Sequence, residues 1–207
     1  MTDCFALLEE PRKPWLDLDR LKHTFLALSA DAHPDRVHSS ASAAEREQSA
    51  ARSAELNTAY NRLCEPRERL AHLLELELNH RPANIQSVPA SAMDQCFEVG
   101  QLCREADRFI AARAQITSPL LKVEAFTVAM AISERVTALQ RTLEKELATL
   151  EAALKSLNDA WLSAPPVGSP GRAAQLPLER LEELFRSISY LGRCRAQLQE
   201  RFVQLSM

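Results

Sequence analysis

An all-α fold is the expectation, and three features of the sequence carry it. Only 4 glycines occur in 207 residues, against many Leu, Ala, Glu and Arg, all good helix formers. No alternating β-branched run of useful length exists, so strand signals are nearly absent. Apolar residues recur instead at steps of three and four, in stretches separated by prolines. With 46% hydrophobic residues the chain can pack a core, and its length suits one large or two small domains.

The elements follow in order. A short first helix is expected over residues 3–10, with Phe5, Leu7 and Leu8 inward and Pro11 ending it. Asp17 is placed to cap a second helix to about residue 31, which turns Leu18, Leu21, Phe25 and Leu28 to one side. A polar stretch over 36–42 leads to a third helix over about 43–64. Pro66 stands in the first turn of a fourth, where its missing N–H costs nothing. That helix carries Leu70, Leu73, Leu74 and Leu78 before Asn79-His80-Arg81-Pro82 breaks it.

Residues 79–92, with Pro82 and Pro89, read as a linker, which separates a domain over 1–78 from a three-helix bundle over 93–207. The bundle begins with a helix over about 93–116. Ser118 as N-cap and Pro119 at the first position then start a long helix to about 163. Along it Ile132, Val136, Leu139, Leu143, Leu147, Leu150, Leu154, Leu157 and Trp161 form one apolar stripe. The stripe reads as the internal seam of the bundle; a coiled-coil surface for weak self-association is the other reading. Residues 164–175, with Pro165, Pro166, Gly168, Pro170 and Gly171, are the least ordered by composition. A last helix over about 177–205 shows Leu181, Leu184, Phe185, Ile188, Leu191, Leu198 and Phe202 on one face.

Composition excludes several functions. A net charge of -3 with no basic stripe argues against nucleic-acid binding. Residues 1–78 hold 10 Lys+Arg against 14 Asp+Glu, so that half is acidic. No run of apolar residues is long enough to span a membrane, and the N-terminus lacks signal-peptide or transit-peptide features, so a bacterial cytoplasm is expected. Cys4, Cys64, Cys96, Cys103 and Cys194 form no C-x-x-C pair, and they read as small packing residues rather than as a disulfide framework or a metal site. Iron or cluster ligation by Cys96 and Cys103 lacks a third nearby ligand. His72 and His80 read as surface or boundary histidines. No Gly-rich phosphate loop, Ser-His-Asp set or paired carboxylates stand out, so no catalytic residue, cofactor or metal is expected and the chain is not read as an enzyme.

The tripeptide His33-Pro34-Asp35 is the most informative feature. Pro34 cannot continue a helix and pushes His33 out of the helical region, so the second helix must stop there. The His33 imidazole, which can carry charge near neutrality, then stands beside the Asp35 carboxylate, an acceptor suited to an arginine on a partner. Between two antiparallel helices this tripeptide resembles the loop of J-domains, the modules that stimulate ATP hydrolysis by DnaK-type chaperones. A helix stop with a turn Asp is the bland alternative.

The resemblance sharpens at Asn57, Ala59-Tyr60, Leu63, Pro66, Arg69 and Leu73-Leu74, which are similar to the third and fourth helices of the HscB family, J-type co-chaperones of iron–sulfur cluster assembly. The opening Asp3-Cys4-Phe5-Ala6-Leu7-Leu8, Leu18-Asp19 and the run Ile188 to Arg193 resemble that family too. The resemblance implies a co-chaperone that stimulates a DnaK/HscA-type ATPase and brings it the scaffold protein on which the cluster is built. It implies chaperone contacts at His33, Pro34 and Asp35, with the positive residues Arg20, Lys22, His23 and Arg36 around them. The sequence departs from the family at Ala32, where an aromatic is usual, and at Ser29, Ala30 and Asp31, where basic residues are common. Scaffold contacts are implied at Cys96, Phe97, Gly100, Gln101 and Tyr190, beside Arg104 and Arg108 where the family tends to be acidic. A J-protein serving another client, and a self-assembling helical protein with a weakened J-domain, are the rival readings.

Overall fold

The computed structural model describes residues 2–32, 42–80 and 92–207, which hold helices and no strand. They divide into two compact units, Met1–Ala83 with Ala153–Glu182, and Asn84–Ala152 with Glu183–Met207. Residues 153–182, expected within the C-terminal bundle, therefore group with the N-terminal helices.

In the first unit α1 (Cys4–Leu7) is capped by Asp3, whose carboxylate accepts from the Phe5 and Ala6 N–H groups. It is shorter than the sequence suggested, because Glu9 takes a left-handed conformation at φ 55. The Glu10 N–H then donates to Phe5 O and the Glu9 N–H to Ala6 O, the closing pattern of a Schellman motif, so Pro11 is not what ends the helix. Helix α2 (Leu18–Asp31) starts on Asp17, whose carboxylate accepts from the Asp19 and Arg20 N–H groups. Helix α3 (Ala43–Cys64) opens with a capping box between Ser42 and Glu45, and the Ser42 donors hold the Glu45 carboxyl below its usual range.

Helices α2 and α3 form an antiparallel hairpin. Phe25 stacks on Tyr60 at 4.2 Å between ring centroids, and Ser49 donates to the Ala32 carbonyl at 2.8 Å, so contacts late in one helix fall early in the other. Helix α4 (Pro66–Leu78) begins with proline and ends where Asn79 turns left-handed at φ 56. Phe5, Leu8, Leu16, Leu21, Leu56, Leu63, Leu70, Leu73 and Leu74 are fully buried.

Polar side chains are buried among them. The Arg69 guanidinium donates to Pro14 O at 3.1 Å and Leu63 O at 2.7 Å. His72, expected near the surface, is wholly buried: its Nε2 accepts the Cys4 N–H at 3.0 Å and its ring stacks parallel to Phe5. Position 72 falls in the same turn as the buried Leu73 and Leu74, and the α1 N-terminus needs an acceptor there. The 164–175 stretch, irregular by composition, contains α7 (Arg172–Gln175) and carries a buried arginine. Arg172 grips Glu77 of α4 with two bonds of 2.9 and 3.0 Å and also donates to Pro165 O. Asn158 completes these ties by exchanging two hydrogen bonds with the backbone of Trp15.

The second unit contains α5 (Met93–Arg113), residues 119–152 of α6 (Pro119–Leu162) and residues 183–206 of α8 (Leu178–Ser206). Its core joins Val99, Leu102, Cys103 and Ala106 to Ile132, Val136, Leu139 and Leu143, and to Leu191, Cys194, Leu198 and Leu205. The apolar stripe of α6 is thus shared: Ile132 to Leu143 belong to this core, whereas Leu154 and Trp161 are buried in the first unit. Arg113 donates to the carbonyls of Gln204 and Leu205, two of the acceptors left open at the end of α8.

Candidate functional site

The described residues among those singled out in the sequence lie on two surfaces, one in each unit. The tripeptide His33, Pro34, Asp35 and the neighbouring Arg36 lie outside the described residues. What leads into the tripeptide is defined. Ala32 closes α2 with its N–H on Leu28 O at 3.0 Å, and its carbonyl is held by Ser49 of α3.

Arg20, Lys22 and His23 are all exposed on α2. The Arg20 guanidinium stands 3.3 Å from the buried Glu10 carboxylate, so part of its charge is answered within the chain. Leu18, expected to face inward, is 46% exposed. Helical side chains lean toward the N-terminus, and at the first helical position this one points past the start of α2. Leu26, 52% exposed, was not singled out in the sequence. Its signal was available: it sits one residue after Phe25, out of phase with Leu21, Phe25 and Leu28, and so had to face out.

On the second unit Phe97 is 64% exposed, and Gln101, one turn further along α5, is exposed too. Met93, one turn before Phe97, is 55% exposed and extends the apolar surface, an extension that the four-residue spacing foreshadowed. Gly100 is half-buried; a Cβ placed there would meet an Arg104 guanidinium nitrogen at 3.4 Å, so the arginine folds back over it. Tyr190 is half-buried under Arg193, whose guanidinium lies 4.2 Å from its ring centroid. Cys96 is half-buried, and its sulfur accepts a hydrogen bond from the Cys194 thiol at 3.3 Å. Cys194 is one turn beyond Tyr190, so Cys96 and Tyr190 are brought to neighbouring positions on α5 and α8. Burial first, and then the bond to Cys96, push the Cys194 thiol up to about 12.

The N-terminal half of α6 exposes Leu120, Val123, Phe126 and Met130. Phe126 and Met130 line a groove of about 680 Å³ with Phe202, Leu205, Arg113 and Arg141. Among the described residues, no three His, Cys, Asp or Glu side chains converge in a way that could hold a metal ion.

No family model matches the chain. Its fold is shared with two solved helical structures. One is the chaperone HscB from Vibrio cholerae, with a TM-score of 0.56 and 22% identity over 99% of both chains. The other is the human co-chaperone protein HscB, with a TM-score of 0.53 and 20% identity over 97% of this chain and 82% of that one. The architecture is therefore one that co-chaperones use. Among curated proteins, a co-chaperone HscB homolog of Bordetella pertussis is 31% identical over 142 residues, which cover 64% of this chain and 80% of that protein. The chain belongs to the HscB co-chaperone family.

Proposed function

We propose that this protein stimulates ATP hydrolysis by a DnaK/HscA-type chaperone and delivers to it the scaffold protein on which iron–sulfur clusters are built. The observation that carries this reading is the tripeptide His33-Pro34-Asp35 immediately after the capped end of α2, in a chain whose α2 and α3 form an antiparallel hairpin. Asp35 offers the chaperone a carboxylate, and Lys22, His23 and Leu26 offer it charge and apolar contact along α2. The scaffold is received on α5 and α8, where exposed Phe97 and Met93 supply apolar area, and Cys96, Gly100, Gln101 and Tyr190 surround them. The protein itself makes and breaks no covalent bond in this role, and it acts in the bacterial cytoplasm. No helix among the described residues is long and apolar enough to cross a membrane.

The test measures chaperone ATPase with and without scaffold. Asp35→Asn keeps the side-chain shape but removes the charge, and stimulation is expected to fall at least tenfold, about 1.4 kcal/mol of coupling. Phe97→Ala with Tyr190→Ala is expected to remove only the scaffold-dependent increment, leaving basal stimulation and the melting temperature nearly unchanged. Full stimulation by the Asp35 variant would overturn the chaperone role. Full scaffold dependence in a stable Phe97/Tyr190 variant would place the client elsewhere.

A further inference from the structure

Cys96 and Cys194 lie 98 positions apart in sequence, and their sulfurs meet at 3.3 Å between α5 and α8. A disulfide bond is about 2.05 Å long, so roughly a further 1.3 Å of approach is needed, within reach of small rotations at two flexible χ1 torsions. The two thiols differ in access. Cys96 is half-buried and reachable from solvent, whereas Cys194 is 7% exposed and faces the core. Cys103, two turns further along α5, is also in the core, and Cys4 and Cys64 belong to the other unit.

We propose that Cys96 and Cys194 are an oxidisable pair, a modification site at which a peroxide joins α5 to α8 through a reversible disulfide. The Cys96 sulfur, as thiolate, attacks one peroxide oxygen. The O–O bond breaks, Cys96 becomes a sulfenic acid, and the departing hydroxide takes up the proton that Cys96 lost. The Cys194 sulfur then attacks the Cys96 sulfur, the S–S bond forms, and the S–O bond breaks. The second hydroxide leaves as water with the Cys194 proton. Two thiols have given two electrons to one peroxide, and two waters result.

The surroundings assign the order of events. Burial keeps the Cys194 thiol protonated up to about 12, so in the reduced protein it donates to Cys96 and waits. Peroxide reaches the half-buried Cys96 before the buried Cys194, which makes Cys194 the resolving partner. The cross-link ties the helix bearing Phe97 to the helix bearing Tyr190. The cross-link follows from the thiol geometry and stands whether or not that face receives a scaffold protein.

The full-length reduced protein treated with hydrogen peroxide, blocked with an alkylating agent and mapped by peptide mass spectrometry tests this. The expected product has lost two hydrogens, joins the Cys96 and Cys194 peptides within one chain, and returns to the starting mass with dithiothreitol. Cys194→Ser is expected to leave a sulfenic acid at Cys96 that dimedone traps, and Cys96→Ser to give no intramolecular cross-link. A cross-link through any other cysteine would overturn the proposal. So would irreversible oxidation of Cys96 in the unsubstituted protein, or survival of both thiols in excess peroxide.

Discussion

The two units solve the problem of cohesion with different chemistry. In the first, charged and polar side chains are buried: Arg69 on two carbonyls, His72 beneath α1, and Glu77 gripped by Arg172. In the second, the core cluster is made of aliphatic side chains and thiols, and the hydroxyls of Ser187 and Ser189 are the buried polar side chains among the described residues. The ion pairs lie outside, such as Arg135 with Glu105 and Arg201 with Asp107. Buried polar groups bond in few geometries and cost heavily when one partner is lost, so they fix one arrangement of the chain. An aliphatic seam gains from area and tolerates variation in detail. The first unit should therefore be brittle toward single polar substitutions and toward acid, and the second should not.

The largest test of that contrast is Arg172→Ala. It leaves the Glu77 carboxylate in the core with Arg12, 3.9 Å away, as its cationic neighbour among the described residues. Removing one partner of a buried pair is expected to cost about 3 to 4 kcal/mol, measured by denaturant unfolding. Hydrogen exchange should rise over α4 and α7 while α5 stays protected; equal loss of protection in α5 would break the contrast. Removing both partners, with Arg172→Met and Glu77→Leu, should recover most of the loss.

Acid gives the next effect. Burial, followed by the nearby Arg62, lowers the His72 pKa from 6.5 to about 4. The unfolded chain thus takes up a proton below about pH 6.5 that the folded chain refuses until about pH 4. The stability due to this histidine is complete above pH 6.5 and drains away as the pH falls toward 4, on the order of 3 kcal/mol in all. Urea unfolding at pH 7.0 and 4.5 measures it. His72→Gln should flatten the slope between those values, and a slope unchanged in that variant would assign the acid sensitivity to other groups.

The smallest effect is expected in the second unit. Arg135 and Glu105 both stand about half exposed, with side chains 58% and 45% accessible, and their pair is screened by water. Arg135→Ala should cost less than about 1 kcal/mol and lose even that at high salt. A larger cost would show that the second unit also relies on its charges.

What the sequence made legible was local. Asp17 and Pro66 are a cap and a start whose meaning lies within four residues, and the bounds of α2 and α4 follow them closely. Glu9 misled because left-handed closure usually announces itself with glycine or asparagine. Arg172 misled because its partner is 95 positions away, and a Pro- and Gly-rich stretch looks the same whether or not its arginine is anchored. The α6 stripe was read as one seam because periodicity records which face is buried, not what buries it. The same division runs through the candidate site. The exposure of Phe97 leaves it open to the proposed contact. The Arg193 cover on Tyr190 is local, three residues along α8, whereas the approach of Cys194 to Cys96 depends on packing between α5 and α8.

The hydrogen bond from Ser49 to Ala32 also acts as an anchor. It pins the closing carbonyl of α2 to the second turn of α3, so the residue before the tripeptide is fastened to the neighbouring helix. A residue inserted between Ala32 and His33 would move the tripeptide away from that anchor by up to about 3.5 Å. Relatives should therefore keep the spacing between the end of α2 and the tripeptide.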